Sequence, residues 1–257
     1  MNLPAASVDR TLWSSQGLGG ADVRRTFDLA RHLKANAVVG EGLPLAGKNL
    51  ALLRATPAQP EDSMFHGTAT ALGARVAHVW LGDSIGPPGS ELQNVPKMLG
   101  RLYDAVDCGS VSAVAALQIE NQAGIPVYRG LEAHPTTVLA DLMALCEQRA
   151  TNTPNTAPDT TSIAAKASML FIGDATTGRA QSFLQGARQL DFDVHFIKTV
   201  AEAARDASEF AAAFVVDASD PAHWALDGPS THVDDAQRST NHGFVLQAVL
   251  LITLLAR

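Results

Sequence analysis

Apolar residues recur along the chain at two spacings, one typical of helices and one typical of strands. In residues 21–35, Val23, Phe27, Ala30 and Leu33 follow the helical spacing, with charged residues between them. Short apolar runs predict strands at 47–55, 75–81, 105–109 and 125–130. The helical spacing predicts further helices at 63–74, 97–104, 110–124 and 134–148. Because strands alternate with helices, we expect a parallel sheet with crossover helices.

The alternation restarts after residues 150–162, which are rich in Thr, Asn and Pro and almost uncharged. Such a stretch is typical of an exposed connector and predicts a domain boundary. Beyond it the pattern predicts strands at 168–174, 192–197 and 212–218, helices at 178–190 and 201–210, an irregular polar stretch at 219–243 and a closing helix at 243–257. We therefore expect two α/β domains, residues 1–149 and 150–242, with the closing helix packing back on the first.

Composition and charge limit the classes of function. The 257 residues are 46% apolar and 18% charged, with a net charge of −7. This balance argues against a nucleic-acid or anionic-membrane surface, which needs clustered Lys and Arg. The apolar run 244–256 is shorter than the roughly 20 residues that span a bilayer, and the N-terminus has no signal pattern. Cys108 and Cys146 have neither metal nor redox spacing, which favours a cytoplasmic protein without a metal or other cofactor.

Four segments carry more specific motifs. They are GKNLALLRATP (47–57) with SMFHGTATALGARV (63–76), then NVPKMLGRLYDAV (94–106), GIPVYRGLEAHPTTVLADLMAL (124–145) and FIGDATTGRAQSFLQGARQL (171–190). In order and spacing they resemble the aspartate/ornithine carbamoyltransferase family, and the HPT-x-x-LAD match is the most specific of them. The resemblance implies a domain that binds carbamoyl phosphate and a domain that binds the amino acid. Here the second domain is expected to be shortened, since no counterpart of the family's later substrate loops is found.

The resemblance places the family's carbamoyl-phosphate loop, Ser-Thr-Arg-Thr-Arg, on Ala58, Gln59, Pro60, Glu61 and Asp62. In the family, backbone N–H groups at a helix start, hydroxyls and Arg side chains hold the phosphate. Here both arginines and both kinds of hydroxyl are absent, and Pro60 lacks a backbone donor. Glu61 and Asp62 add negative charge where a dianion would sit. We expect phosphate binding to be weakened by several orders of magnitude.

Other positions implied by the resemblance are changed as well. Gly109 stands where the family has Arg, Thr137 where it has Gln, and Thr177 with Gly178 where it has an Asn pair. Only His134 is kept, and it resembles the residue that polarises the carbamoyl carbonyl. The competing interpretation, which we favour, makes His134 a residue that packs at a helix N-terminus.

Four other features have weaker chemical interpretations. The late cluster His223, Asp227, His232, Asp234, Asp235 and His242 matches no ligand spacing, so a polar surface loop is expected. GDATTG (173–178) is neither a dinucleotide nor a Walker motif. Arg129 could pair with Glu61 or Asp62 or bind another anion, but a solvated side chain is expected. Cys108 is expected to be a small buried residue.

Two functions from different classes remain open. The first is an inactive family member with a structural or regulatory role in amino-acid or pyrimidine metabolism, as a partner subunit of an active carbamoyltransferase. The second is an active carbamoyltransferase-like transferase with an altered donor site, acting on an amino acid or amine. A weaker third is a cleft that binds a neutral or cationic ligand. The resemblance also implies a homotrimer, built through the first domain and a neighbour-contacting loop at 82–90.

Overall fold

The computed structural model describes residues 20–36, 42–54, 63–80, 94–133, 135–152, 167–199, 213–229 and 231–255. The strands are β1 Asn49–Arg54, β2 Arg75–Trp80, β3 Ala105–Asp107, β4 Val127–Tyr128, β5 Ala167–Gly173, β6 Phe192–Ile197, β7 Phe214–Ala218 and β8 Ala225–Asp227. The helices are α1 Gly20–Ala35, α2 Met64–Ala71, α3 Val95–Leu102, α4 Ala113–Ala123, α5 Thr136–Asn152, α6 Gly178–Gln189 and α7 Asp235–Leu255. The predicted helix at 201–210 lies outside the described residues.

The first sheet is fully parallel and has the strand order β2-β1-β3-β4. Its central strand β1 pairs Leu50 with Val76 on one side and with Ala105 on the other. Leu50 and Leu53 are fully buried, as the continuous apolar run of β1 requires when helices cover both faces of a parallel sheet. The predicted crossover helices are present.

Local signals in the sequence fix the helices that follow these strands. Ser63 caps the start of α2 by accepting a hydrogen bond from His66 N, and Ser112 does the same for Ala115 N at the start of α4. Gly124 ends α4 in the left-handed conformation, φ 69°, which glycine adopts without steric cost. The buried core beneath α3 and α4 joins Leu53, Leu99, Val106 and Ile119.

The second sheet has the order β6-β5-β7-β8, with β8 antiparallel to β7. The predicted irregular stretch at 219–243 is wrong in part, because β8 forms at Ala225–Asp227 and α7 already begins at Asp235. The physical reason is burial: Trp224 and Leu226 pack into the core, and the Trp224 ring meets those of Phe171 and Phe183 edge-on at 5.6 Å. Apolar residues only two apart in a polar segment did not reveal this strand.

The chain forms two compact units. Among the described residues, the first unit holds Leu29–Thr136 and 243–255, and the second holds 20–28 and 137–242. Within the first unit the Tyr128 hydroxyl of β4 is hydrogen-bonded to the Thr253 hydroxyl of α7. The two-domain α/β fold class is therefore confirmed. The predicted domain bounds remain a prediction, because most of the connector 150–162 lies outside the described residues. No helix in the described ranges has the length and apolar content needed to cross a membrane.

Candidate functional site

The parallel strands β1, β3 and β4 end at the same edge of the first sheet. In parallel α/β sheets a ligand binds outside the carboxyl ends of the strands, at the point where the strand order reverses. In the order β2-β1-β3-β4 this point lies between β1 and β3, beside the start of α2. The residues at this edge therefore form the candidate site of the first unit.

Asp107 is the buried acid at the end of β3. Its side chain accepts hydrogen bonds from Gly130 N at 2.8 Å and Leu131 N at 3.4 Å. Burial raises the pKa of Asp107 from 3.8 to about 6, while the backbone donors oppose that rise and the charge of Glu132 adds to it. Asp107 thereby holds the 130–132 turn against the end of β3.

Gly109 is one of the positions at which the resemblance predicts a degenerate site. A Cβ atom at Gly109 would lie 2.7 Å from the Cα atom of Gly130, closer than any ordinary contact. Gly130 itself has φ +86°, a conformation that favours glycine. The backbone at the end of β3 thus lies against the turn after β4, and no side chain fits at position 109 without moving that turn.

Glu132 reaches the start of α2. Its Oε1 atom accepts hydrogen bonds from Phe65 N at 2.6 Å and from the Ser63 hydroxyl at 2.5 Å. Backbone N–H groups and the helix dipole make such a helix start favourable for negative charge. A carboxylate of the same chain thus occupies the first turn of α2. No sequence pattern predicts this contact, because Glu132 and Ser63 are 69 residues apart.

Thr136 fixes the other end of the turn that carries Glu132. Its hydroxyl is buried and donates to the carbonyl oxygens of Leu131 and Ala133, the latter at 2.7 Å. Thr137, the next predicted site residue, is partly exposed in the first turn of α5 and belongs to the second unit. His134, the loop Ala58–Asp62 with Gln59, Pro60 and Glu61, and the loop 82–90 lie outside the described residues.

Thr177 has a structural role in the second unit. It caps α6 by accepting a hydrogen bond from Ala180 N at 3.2 Å. Just before it, exposed Asp174 accepts from the backbone N and the hydroxyl of Thr176 at 2.8 and 2.7 Å, and these bonds lower the pKa of Asp174. The turn between β5 and α6 is thus closed by its own side chains.

Among the solved structures similar to this chain are three that match it over nearly its full length. An ornithine carbamoyltransferase from Burkholderia thailandensis is 17% identical, with 97% of this chain and 100% of that chain covered and a TM-score of 0.66. An aspartate transcarbamoylase from Trypanosoma cruzi in complex with phosphate is 16% identical, with 98% of both chains covered and a TM-score of 0.63. An ornithine carbamoyltransferase from Gloeobacter violaceus is 18% identical, with 95% of this chain and 98% of that chain covered and a TM-score of 0.62.

The chain has the carbamoyltransferase fold. No family model matches the sequence, and the identities of the structural neighbours establish the shared fold alone. Within this fold the described part of the first unit's sheet edge carries two acids, Asp107 and Glu132, both engaged by backbone N–H groups.

Arg129 lies near this edge of the carbamoyltransferase fold, and the expectation of a solvated side chain is wrong. Its guanidinium pairs with the Glu120 carboxylate at 2.5 Å, and the two side chains are only 20% and 17% exposed. Glu120 on α4 faces the end of β4, a pairing across nine residues that the helical pattern did not identify. Arg129 is therefore committed to an internal ion pair.

Cys108 agrees with its expected role as a small buried residue. It is 2% exposed, and burial together with the charge of Asp107 raises the pKa of its thiol to about 12. A thiol with so high a pKa is not a nucleophile at neutral pH.

The late histidines form separate local contacts. His223 pairs with Asp220 at 3.3 Å and His232 with Asp227 at 2.7 Å, both exposed, whereas His242 is buried in α7. The expectation of one polar surface loop is thus wrong for His242. In the described ranges no three His, Cys, Asp or Glu residues are grouped to hold a metal ion.

A buried acid also organises the second unit. Asp141 of α5 accepts hydrogen bonds from Arg238 Nε at 2.8 Å and Arg179 Nη2 at 3.2 Å. The Arg179 guanidinium lies 4.1 Å from the centre of the Trp224 ring, and Arg238 also donates to the Trp224 carbonyl at 3.0 Å. The sequence interpretation missed this network, although Asp141 lies within the quoted LAD motif.

Proposed function

We propose that this chain is a divergent member of the aspartate/ornithine carbamoyltransferase family that does not transfer a carbamoyl group. In its place we assign a structural or regulatory role, as a homotrimer and as a partner subunit of an active carbamoyltransferase. The four ordered motifs and the shared fold support the family membership. One observation carries the loss of activity: the Glu132 carboxylate at the start of α2.

Glu132 competes with any external anion for the same donors. The Phe65 N–H and the Ser63 hydroxyl already donate to its carboxylate. Because Glu132 is held by the turn that Asp107 and Thr136 anchor, it needs no binding step to reach α2. A dissolved phosphate must displace the Glu132 carboxylate, and it loses translational and rotational freedom on binding.

The magnitude of this competition is large on the scale of ligand affinity. Each charge-assisted hydrogen bond denied to a phosphate is worth about 1.5–3 kcal/mol. If Glu132 stays in place, two like charges about 4 Å apart repel by about 1 kcal/mol in water and about 4 kcal/mol near a protein surface. Since 1.4 kcal/mol is about tenfold, either effect alone weakens binding by about fivefold or more.

Two sequence positions act in the same direction. The loop Ala58–Asp62 contains no arginine and carries two acids. Gly109 leaves no space for the family's Arg, because a Cβ atom there would meet Gly130. The basic groups that balance a bound dianion are thus absent from both positions.

The decisive experiment is calorimetry of the purified chain with carbamoyl phosphate and with a bisubstrate phosphonate analogue. We expect no binding of either compound. Micromolar binding of one of them would overturn the proposal and would favour the active transferase with an altered donor site.

A variant tests the role assigned to Glu132. E132Q keeps the shape of the side chain and removes its charge, so its affinity for inorganic phosphate should exceed that of the wild type by about tenfold. D28N removes one exposed acid from α1 and is the matched control, with unchanged affinity expected. Equal phosphate affinity in E132Q and the wild type would contradict the competition described above.

The assembly is tested separately. Trp80, 64% exposed at the end of the edge strand β2, provides apolar surface on the first unit that supports a trimer contact there. Light scattering should give three times the 27.0 kDa mass of one chain. A monomer that does not co-purify with an active carbamoyltransferase would refute the subunit role.

A further inference from the structure

Helix α3 is strongly amphipathic and leaves one face uncovered. It buries Pro96 and Leu99, whereas Met98 and Leu102 are 45% and 56% exposed. These two apolar side chains are four residues apart and therefore adjacent on the helix surface. Two large apolar residues exposed side by side on an eight-residue helix indicate a surface that a partner covers.

Two cations flank this apolar pair. Lys97 and Arg101 are exposed and also four residues apart. Neither is paired with a carboxylate in the described part of the chain, whereas Lys48, Arg129 and Arg238 each have such a partner.

The cations and the apolar pair line one groove. Its volume is about 310 Å³, and its lining residues are Asn94, Lys97, Met98, Arg101 and Leu102. This surface combines apolar side chains with two positive charges, a combination with which proteins receive an amphipathic segment of opposite charge.

We propose that the α3 groove binds an acidic, apolar segment of a partner polypeptide. Carboxylates of that segment pair with Lys97 and Arg101, and its apolar side chains cover Met98 and Leu102. Charge complementarity selects this partner, because the whole chain, with a net charge of −7, otherwise repels acidic molecules. In the described part of the chain, Lys97 and Arg101 offer such a segment two positive charges that no carboxylate pairs with.

An anionic lipid surface is less well matched. Polybasic lipid-binding segments use about four to eight Lys or Arg residues. The groove supplies two, on a chain that is negatively charged overall.

A fluorescent peptide tests the proposal on the full chain. The probe is a helical peptide of about 15 residues with Leu on one face and Glu on both flanks. Anisotropy should report binding of this peptide and none of the matched peptide in which Lys replaces every Glu. K97E/R101E should weaken binding by at least about tenfold, and M98S/L102S should do so as well.

The matched control reverses the same number of charges elsewhere. R75E/R188E changes two exposed arginines on β2 and α6 and should leave the affinity within about twofold of the wild type. The proposal is overturned if the acidic peptide does not bind, if the Lys peptide binds equally, or if the control loses as much affinity as K97E/R101E. Sedimentation of the wild type, and not of K97E/R101E, with phosphatidylserine vesicles would assign the groove to lipid and would equally overturn it.

Discussion

Asp107 should make the stability of the protein depend on pH in a way that one substitution removes. Burial raises the pKa of this carboxyl from 3.8 to about 6 in the folded chain. Between these two values the folded state keeps the proton that the unfolded state has lost. Asp107 thus contributes stability that is fully present below about pH 4 and is lost as the pH rises through about 6.

The size of this contribution follows from the two pKa values. The full difference corresponds to about 3 kcal/mol, and about 2 kcal/mol of it falls between about pH 4.5 and pH 7.5. Asp107→Asn cannot ionise, yet its side-chain oxygen can still accept from Gly130 N. The variant should therefore gain about 2 kcal/mol relative to the wild type as the pH rises across this range.

Urea unfolding of both proteins at the two pH values measures this gain, since all other titrating groups cancel in the difference. A carbon-13 titration of the Asp107 carboxyl, assigned by its loss in the variant, gives the folded pKa directly. The free energy of unfolding of the variant minus that of the wild type should increase with pH. If this difference stays constant or decreases as the pH rises, Asp107 does not carry an unfavourable buried charge.

Two further substitutions test the packing of each unit, and each has a control of contrasting outcome. Asp141→Ala should destabilise the chain by about 3 kcal/mol in urea, since it leaves two arginines without their buried partner. Asp235→Ala, which removes a 98% exposed partner of Arg238, should cost under about 1 kcal/mol, and equal losses would contradict the network. Gly100→Ala should lower the melting temperature, because its Cβ would lie 2.0 Å from the Ala123 carbonyl oxygen, whereas Gly67→Ala on α2 meets nothing within 4 Å and should raise it. Similar shifts in both glycine variants would show that α3 and α4 are not tightly packed.

The sequence was most informative where burial follows a period. The run at β1 and the repeated alternation of strand and helix predict the parallel sheets, because a strand covered on both faces must be apolar throughout. This pattern did not predict the antiparallel strand β8, because only Trp224 and Leu226 are buried there within a polar segment. Short edge strands carry too few residues to define a period.

The described contacts of the candidate site could not be predicted from the sequence. Reading Gly109 as a missing Arg identifies the absence of a cation, but the contact with Gly130 requires the register of β3 and β4. Likewise, pairing of Arg129 with Glu120 depends on the rotation of α4 over the sheet. Side-chain pairs across elements are set by packing, which a linear pattern does not encode.

The turn after β4 connects the described contacts of the first unit's candidate site. Asp107 holds Gly130 and Leu131, Thr136 holds Leu131 and Ala133, and the turn between them presents Glu132 to α2. The same turn lies against Gly109 and excludes a side chain there. Introducing an arginine at position 109 would therefore move the turn that carries Glu132. The effects of Gly109→Arg and of a substitution at Glu132 should for this reason not be additive. The space for a side chain at position 109 and the contact of Glu132 with α2 therefore both depend on the position of this one turn.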